Sequence, residues 1–391
     1  MTRDPQDISR VLSINVGSSS VKFGVYDVGL KQTCLESQLD HPGSVTDALK
    51  DIQTVMKQAG VEHVDAVGHR VAHGGEEYVE PTLVNAGVEA AIERYTVLAP
   101  QHNPGSLAGI RCAREQWPSA PQVAVFDTSF HRTMPARATT YAVPRAWRDA
   151  GLKRYGFHGI SHQHVMEAVA EHLDLPASEL RIVSCHLGNG ASVCAIDRGL
   201  SVDTSMGMTP LEGLVMGSRC GDLDPGAYPY LMRTLGLSAQ QIEIALSEDS
   251  GLKALSGISS DLRQVEAHAL RGNVQAQLAL QVFAYRVRKY IGGYAVAMGG
   301  LDVIAFTGGI GENAPAVRRD VCHGLDVLGA YLDENRNDTC EAGLGPPVEL
   351  QQSHSRTKML VVHAREEWVI AQETMRLLAS SDTAAPTPPH Q

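Results

Sequence analysis

Apolar positions along the chain alternate between strand-like and helix-like spacing. Residues 11–26 are a largely apolar stretch interrupted by a Gly/Ser segment, which predicts two strands joined by a tight turn. Residues 274–298 predict one long helix that ends at a Gly-Gly pair, and residues 302–306 predict a strand directly after it. The apolar side chains with helical spacing are Leu278, Val282, Tyr285 and Tyr290. This alternation predicts an α/β fold with a mainly parallel sheet.

The strand–turn–strand pattern occurs a second time at residues 182–196. The turn glycines Gly17 and Gly188 lie 171 residues apart. A second pair of similar strands ends at Asp127 and Thr307, 180 residues apart. The spacing predicts that one fold is present twice in the chain, although two unrelated hairpins of similar sequence would give the same pattern.

Composition and charge exclude several classes of protein. The 391 residues are enough for two or three domains, and the 43% hydrophobic and 20% charged residues are typical of a globular protein. The net charge of −11 argues against a nucleic-acid partner, because such proteins carry a basic face.

The sequence also gives expectations about location. No apolar run reaches the roughly 18 residues that span a membrane, and the first residues lack the hydrophobic segment of a signal peptide. The seven cysteines are scattered without a Cys-x-x-Cys pair, which argues against a disulfide framework or a zinc site. We therefore expect a cytoplasmic protein with no membrane partner, and a disordered tail at residues 381–391.

Three glycine-rich turns follow predicted strands, at residues 17–20, 188–192 and 308–313. Glycines let backbone N–H groups approach an anion closely, because no Cβ intervenes. Pro315 predicts the start of a helix after the third turn, and a helix N-terminus there would suit a phosphate. On a duplicated α/β fold, the three turns predict a nucleotide site.

One of these turns has a second interpretation. Residues 309–314 fit the G-x-G-x-x-A pattern of dinucleotide-binding proteins, so an NAD-dependent dehydrogenase is an alternative. Against it, barely 80 residues follow in which to complete such a domain. The P-loop pattern G-x-x-x-x-G-K-[ST] does not occur.

Four polar residues stand at predicted strand ends or in glycine-flanked loops: Arg70, Asp127, His158 and Arg219. Each has an ordinary explanation by itself, as an ion-pair partner, a helix cap or a structural histidine. In a chain with phosphate-type turns, together they predict phosphoryl transfer, because that reaction depends on positioning and on neutralising charge.

These segments together resemble the acetokinase family of acetate, propionate and butyrate kinases. The motifs that carry the resemblance are residues 14–22, 69–75, 127–131, 155–159, 186–190, 217–222, 259–263, 308–313 and 366–367. The resemblance runs from about residue 10 to residue 378. It implies the duplicated actin-like and sugar-kinase-like ATPase fold, with two domains around a nucleotide cleft. One domain would comprise residues 8–143 with a returning helix at about 366–380, and the other residues 144–365.

The resemblance also implies roles for individual residues. Asn15 and Glu366 would lie near Mg²⁺, for which Mn²⁺ could substitute. The residues implied to hold ATP or ADP are Lys22, His186, Leu187, Gly188, Asn189, Gly190, Asp261, Leu262, Arg263, Gly308, Gly309, Ile310, Gly311 and Glu312. Arg70 would bind the carboxylate of the substrate. The catalytic residues would be Asp127, as proton donor or acceptor, with His158 and Arg219 at the transferring phosphoryl group. The family also implies a homodimer.

A proton-transfer role for Asp127 conflicts with the chemistry of the acceptor. A carboxylic acid with a pKa of about 4 is already ionised at pH 7 and has no proton to lose. We therefore expect Asp127 to orient an arginine or the metal instead.

The implied pocket for the acid consists of Ala72, Gln101, Phe157 and Pro210, and two of these depart from the family pattern. Ala72 stands where valine is common, and Gln101 stands where leucine is common. The smaller Ala72 leaves room for longer acids, so we expect a relaxed or shifted acid preference. Arg365, before Glu366, also departs from the usual asparagine and is expected to alter the local electrostatics.

The sequence as a whole predicts reversible, ATP-dependent phosphorylation of acetate to acetyl phosphate by in-line transfer. A propionate or other short-chain acid kinase with the same mechanism is an alternative. An NAD-dependent dehydrogenase and an actin-like or chaperone-like ATPase without a small acceptor are more distant alternatives.

Overall fold

The computed structural model describes residues 9–17, 20–40 and 45–382. The strands in these ranges are β1 (Arg10–Val16), β2 (Ser20–Asp27), β3 (Gln32–Asp40), β4 (Ala66–Val71), β5 (Thr82–Leu83), β6 (Gln122–Phe126), β7 (Arg181–Leu187), β8 (Ala191–Asp197), β9 (Leu200–Thr204), β10 (Val303–Thr307), β11 (Val348–Glu349) and β12 (Lys358–Val361).

Helices connect and flank these strands. The α-helices are α1 (Val45–Gln58), α2 (Ala86–Arg94), α3 (Asn103–Gln116), α4 (Ala136–Thr139), α5 (Arg145–Asp149), α6 (Gly159–Leu173), α7 (Ala227–Leu235), α8 (Ala239–Glu248), α9 (Gly251–Ser256), α10 (Leu262–Leu270), α11 (Val274–Ala297), α12 (Gly308–Asn313), α13 (Pro315–Cys322), α14 (Glu334–Asp338) and α15 (Glu366–Asp382). Short 3₁₀ helices lie at Tyr95–Val97, Ser129–Thr133, Ala177–Glu179 and Leu325–Leu328. None of the helices in the described ranges has both the length and the hydropathy needed to cross a membrane.

The chain divides into two compact units. The first unit consists of the described residues up to Ser129 together with those from Arg365 onward, and the second is Phe130–Ala364. The domain limits implied by the resemblance stay a prediction, because compactness alone does not define a domain. The predicted start of the tail was wrong, because residues 381 and 382 belong to α15. Residues 383–391, and Ser18 and Ser19 of the first glycine-rich turn, lie outside the described residues.

The first unit is built on a six-stranded sheet of order β3-β2-β1-β4-β6-β5. Strands β1, β4 and β6 are parallel, and the other pairs are antiparallel. Apolar side chains of β1 and β2 pack with α1 in a buried cluster. Helix α15 packs on the sheet over Gly68, where any Cβ would collide with Thr374 and Ile370. This close approach places the first turn of α15 beside the carboxyl ends of the parallel strands.

The second unit repeats this topology, with the order β9-β8-β7-β10-β12-β11. Its parallel strands are β7, β10 and β12, and its outer pairs are again antiparallel. The predicted duplication is therefore confirmed, and the hairpins of Gly17 and Gly188 correspond. The second pairing was wrong, because the strand before Asp127, β6, corresponds to β12, whereas β10 corresponds to β4.

The expectation of a mainly parallel sheet was also wrong. Each sheet is mixed, because two tight hairpins join its first three strands, and only antiparallel neighbours permit such short connections. The three parallel strands lie together within each sheet. Their carboxyl ends therefore form one edge in each unit, which is where loops and binding residues collect in α/β folds.

Helix α11 is confirmed at the predicted position, but the buried stripe differs from the apolar residues noted in the sequence. Leu278 is 50% exposed and Tyr285 is 56% exposed. The buried side chains are Ala276, Ala279, Phe283, Ala284, Val287, Ile291, Tyr294 and Ala295. Small alanines let the helix approach the sheet closely, and an alanine-rich stripe gives only a weak apolar signal in the sequence.

Candidate active site

In the first unit, five polar side chains meet at the carboxyl ends of the parallel strands. Asn15 is on β1, Arg70 is on β4, and Asp127 directly follows β6. Glu366 and Glu367 begin α15, where the helix dipole favours negative charge. We call these five residues the Arg70 cluster.

An ion pair between Arg70 and Asp127 organises this cluster. Both Arg70 Nε and Nη2 donate to Asp127, with Nε 3.1 Å from each carboxylate oxygen and Nη2 2.6 Å from Oδ2. Arg70 Nη1 donates to Asn15 Oδ1 at 3.2 Å. The side chain of Asp127 is only 2% exposed. Asp127 thus fixes the orientation of the guanidinium group, in the manner of a bidentate pair.

Two adjacent carboxylates complete the cluster. Asn15 Nδ2 donates to Glu366 Oε2 at 3.3 Å and to Glu367 Oε1 at 3.0 Å. Burial raises the pKa of the Glu366 carboxyl above its ordinary value, Arg70 opposes this shift, and the charge of Asp127 adds to it. Burial and the charge of Glu366 likewise raise the pKa of Glu367. A nearby cation would therefore stabilise the ionised forms of both carboxylates.

Three other predicted site residues lie in the first unit. Lys22 is exposed on β2, opposite Asn15 in the β1–β2 register, and its charge lowers the pKa of both glutamates. Its neighbours in the structure are therefore carboxylates of the Arg70 cluster. Ala72 directly follows β4 and is 4% exposed. Gln101 is exposed before α3, so its amide does not require a buried partner.

The second unit contains a matching turn at the end of β7. Residues Gly188, Asn189 and Gly190 join β7 to β8, and the Gly188 N–H donates to the Gly190 carbonyl at 3.1 Å. A Cβ built on Gly190 would lie 3.5 Å from His158 Nε2 and 3.6 Å from Arg219 Nη1. Two groups able to bind an anion therefore converge on the space beside this glycine. We call His158, His186, Gly190 and Arg219 the Gly190 cluster.

The backbone of His158 adopts an unfavourable conformation. His158 has φ +57° and ψ +23°, a left-handed conformation, just before α6. Its ring lies against the His186 ring, with centroids 4.3 Å apart, and its Nδ1 is 2.9 Å from Ser192 Oγ. Such conformations persist where surrounding contacts enforce them, and they are concentrated at functional sites. Arg219 Nη1 donates to the Pro210 carbonyl at 3.2 Å, which links the Pro210 loop to the cluster.

Residues 308–313 form a helix, α12, rather than the expected turn, and α13 begins at Pro315 as predicted. Gly308 has φ +79°, and a Cβ there would be 2.8 Å from the Leu187 carbonyl oxygen, so glycine is required. Glu312 Oε1 accepts hydrogen bonds from the N–H groups of Gly308 and Ala364, and Oε2 is 2.7 Å from His363 Nδ1. The carboxylate thus binds its own helix to the end of β12.

The remaining predicted residues of the second unit have other partners within the structure. Asp261 caps α10 and forms an ion pair with Arg263 at 2.6 Å. Leu262 and Phe157 lie in the apolar core, and the Phe157 carbonyl oxygen is 3.0 Å from His131 Nε2. Gly309 and Ile310 are on α12, with open space beside Gly309.

Three residues that belong to these clusters or contact them were given no role from the sequence. Glu367 is one, and its signal was the pair of adjacent glutamates at a helix start. Ser192 and His162 are others, with His162 Nε2 2.9 Å from Ser192 Oγ. Ser192 ends the glycine-rich turn of residues 188–192, whereas His162 is on α6, so no local motif marks the contact between them.

Comparisons with known proteins agree with this arrangement. A model described as the acetokinase family matches residues 29–372. The acetate kinase of Halothermothrix orenii is 45% identical over an alignment of 402 positions, which covers 95% of this chain and 100% of that protein. The crystal structure of Porphyromonas gingivalis acetate kinase has 38% identity and a TM-score of 0.86, covering 95% of this chain and 100% of the other. A propionate kinase from Francisella tularensis has 35% identity and a TM-score of 0.87, covering 94% and 100%.

Two copies of one α/β unit, with a cluster of polar groups at the same edge of each sheet, define a phosphotransferase of the duplicated ATPase type. The chain belongs to the acetokinase family. It is therefore an enzyme, a kinase that phosphorylates a carboxylate. The predicted family and duplicated fold are confirmed, and the dehydrogenase and the ATPase without an acceptor are excluded.

Proposed function

We propose that this chain transfers the γ-phosphoryl group of ATP to acetate, forming acetyl phosphate and ADP in a reversible reaction. The observation that carries the proposal is the convergence of His158 and Arg219 on the space beside Gly190. Relatives named acetate kinase support acetate as the acceptor.

The chemistry is direct in-line transfer. An oxygen of the ionised carboxylate attacks the γ-phosphorus, a new O–P bond forms, and the bond to the bridging oxygen of ADP breaks. Because the acceptor is already ionised, no residue has to remove a proton. His158 and Arg219 donate hydrogen bonds to the equatorial oxygens, where negative charge must be stabilised during transfer.

Arg70 binds the carboxylate of the substrate in this proposal. Its contacts with Asp127 and Asn15 use three of the five guanidinium N–H groups. The other two can hold a carboxylate, and the bound Asp127 prevents the guanidinium from rotating. Asp127 thus positions Arg70 rather than transferring a proton.

The Arg70 cluster also suits Mg²⁺. Two adjacent carboxylates with raised pKa and an amide oxygen are the hard oxygen donors that this ion prefers. Asn15 and Glu366 would hold it, directly or through water, and Mn²⁺ could replace it. Bound Mg²⁺ would neutralise phosphate charge. Without it, Asn15 holds Glu366 and Glu367 in place by hydrogen bonds.

The proposal also assigns residues to the nucleotide. The assignment follows the family motifs, and the open space beside Gly309 supports it. The residues assigned to ATP or ADP are Lys22, His186, Leu187, Gly188, Asn189, Gly190, Asp261, Leu262, Arg263, Gly308, Gly309, Ile310, Gly311 and Glu312. The contacts of Glu312 support a role in holding α12 rather than direct contact with phosphate.

Propionate is a second candidate substrate. The buried Ala72 replaces a larger residue in the acid pocket implied by the family, and a solved propionate kinase resembles this chain. A pocket larger by a methylene or two changes selectivity by only about 1–3 kcal/mol, so acetate remains the main substrate.

The enzyme acts as a homodimer in the cytoplasm in this proposal. Helix α7 supports a self-association surface, because four of its large side chains are at least 40% exposed: Tyr228, Tyr230, Met232 and Leu235. Light scattering on the purified chain should give twice the mass of 42.0 kDa. The substitution Tyr230→Asp, which places a charge on this surface, should give the mass of a single chain.

The reverse reaction provides the test of this function. ATP formation from acetyl phosphate and ADP should occur with the native chain and fall at least 100-fold in Arg219→Ala. The exposed Arg271 gives the control, since Arg271→Ala should keep native activity. Native rates in Arg219→Ala would contradict the assignment of the Gly190 cluster.

A further inference from the structure

We propose that a buried hydrogen-bond relay, Ser184–His162–Ser192, holds His158 in one neutral form, with its proton on Nε2. Ser184, His162 and Ser192 are positioning residues that act through His158. The inference rests on the proposed role of His158 at the phosphoryl group, and it deepens that role.

The relay is continuous in the structure. Ser184 Oγ is 2.8 Å from His162 Nδ1, and His162 Nε2 is 2.9 Å from Ser192 Oγ. Ser192 Oγ is in turn 2.9 Å from His158 Nδ1. Ser184, His162 and Ser192 are fully buried, so solvent does not compete for these bonds. They come from β7, α6 and β8, and both α6 and β8 contact β7.

The hydroxyl of Ser184 sets the direction of the relay. Within the described ranges, His162 Nδ1 is the one hydrogen-bond partner found for Ser184 Oγ. A buried hydroxyl whose proton has no acceptor is unfavourable, so Ser184 donates to His162 Nδ1. The lone pair of His162 Nδ1 accepts this hydrogen bond, so that nitrogen carries no proton of its own.

The hydrogen bond from His162 to Ser192 has the same direction. Burial lowers the pKa of His162 well below its ordinary value, and the neighbouring rings of His131 and His186 add to the shift, so the ring is neutral. A neutral ring without a proton on Nδ1 carries it on Nε2 and donates it to Ser192 Oγ. Ser192 then uses its own proton to donate to His158 Nδ1. The proton of a neutral His158 must therefore be on Nε2.

This form of His158 suits the reaction. The Cε1–Nε2 edge of the His158 ring faces the space beside Gly190, with both atoms 3.5 Å from a Cβ built on that glycine, and Arg219 Nη1 borders the same space. A proton on Nε2 gives a hydrogen-bond donor toward a phosphoryl oxygen, whereas the other neutral form would present a lone pair to the same negative charge. Among the described residues, the His186 ring lies against His158 and the charged Arg219 borders the same space.

Ring-nitrogen NMR of the native chain, labelled with ¹⁵N-histidine, tests the proposal directly. The signals of His158 are assigned by their loss in His158→Gln. At pH 7.5 we expect a protonated Nε2 and an unprotonated Nδ1. A protonated Nδ1, alone or together with a protonated Nε2, would overturn the proposal.

A variant at the far end of the relay separates positioning from general stability. Ser184→Ala removes the donor to His162 without touching His158, so we expect a mixture of both neutral forms at His158. We expect kcat to fall by roughly tenfold and both KM values to stay within twofold. Ser184→Cys, which keeps a weak donor, should recover part of the loss.

Ser13→Ala is the matched control. Ser13 is fully buried and its Oγ donates to the Gly24 carbonyl at 3.3 Å, so this variant removes a buried serine hydrogen bond outside the relay. It should lower thermal stability like Ser184→Ala but leave the His158 signals and kcat unchanged. Equal effects on the His158 signals in both variants, or in neither, would overturn the relay. Absence of acetate phosphorylation by the native chain would instead overturn the proposed function, because the NMR signals do not depend on turnover.

Discussion

Replacing Asp127 with asparagine removes the charge that holds Arg70 while keeping the size of the side chain. Three short contacts link the two residues, at 3.1, 3.1 and 2.6 Å, and their side chains are 14% and 2% exposed. Removing one partner of a buried pair costs about 3–5 kcal/mol. Glu366 and Glu367 still compensate the charge of Arg70, so the loss should lie near the lower limit, at about 3 kcal/mol.

The effect on activity distinguishes the two possible roles of Asp127. If Asp127 positions Arg70, Asp127→Asn should raise the KM for acetate and lower kcat, each by about tenfold, since a loosened guanidinium binds and orients the carboxylate less well. The pH–rate profile between pH 5.5 and 8.5, measured by trapping acetyl phosphate as the hydroxamate, should keep all of its ionisation limbs. Loss of one limb would show that Asp127 transfers a proton and would refute the positioning account.

Another arginine–aspartate pair in the chain provides the control. Asp302 binds Arg181 through both carboxylate oxygens, at 2.9 and 3.0 Å, outside both clusters. Asp302→Asn should therefore lower the thermal midpoint without changing KM or kcat. A similar loss of activity in both variants would mean that stability alone explains the effect of Asp127→Asn.

Three further predictions concern selectivity and pH. Ala72→Val should raise the acetate-to-propionate ratio of kcat/KM by about tenfold, and an unchanged ratio in the same assay would mean that Ala72 does not face the acid. Burial lowers the pKa of His131 to about 4, so below pH 6.5 the unfolded chain binds a proton at this residue before the folded chain does. The free energy of unfolding, measured by urea denaturation, should therefore fall by about 3 kcal/mol at pH 4 from this residue alone, and a stability that does not change with pH would contradict it. Burial alone would raise the pKa of Glu312, but His363 and two backbone N–H groups hold it below its ordinary value. Glu312→Gln should therefore cost about 1–3 kcal/mol at pH 7 and less below pH 4.5, where the unfolded chain takes up a proton before the folded carboxylate does, and an equal difference at both pH values would oppose this.

The duplication could be predicted from the sequence because the hairpins at Gly17 and Gly188 carry strong turn signals. The assignment of the other strands failed at β6 and β10. Both are fully buried and therefore continuously apolar, so nothing in their pattern tells one central parallel strand from another.

Tertiary contacts explain why the helix α12 could not be predicted. Its sequence, Gly-Gly-Ile-Gly-Glu-Asn, has poor helix propensity. Arg318 donates to the carbonyls of Gly311 and Glu312, and the Glu312 side chain accepts from the Gly308 N–H. These contacts stabilise the helix only after α13 and β12 are in place.

The sequence predicted the residues of the candidate site but not the contacts between them. Motifs gave the residues of the Arg70 and Gly190 clusters because each lies in a short distinctive segment. The Asp127–Arg70 pair joins β4 and β6, and the Ser184–His162–Ser192 relay joins three elements, so both depend on the fold. Spacing along the chain carries no information about contacts of this kind.

The most direct test of the central claim is acyl-phosphate formation with Mg-ATP, trapped as the hydroxamate, across formate, acetate, propionate and butyrate. The account predicts the highest kcat/KM with acetate and a smaller but measurable value with propionate. Product from none of the four acids, or the highest kcat/KM with an acid other than acetate, would contradict it.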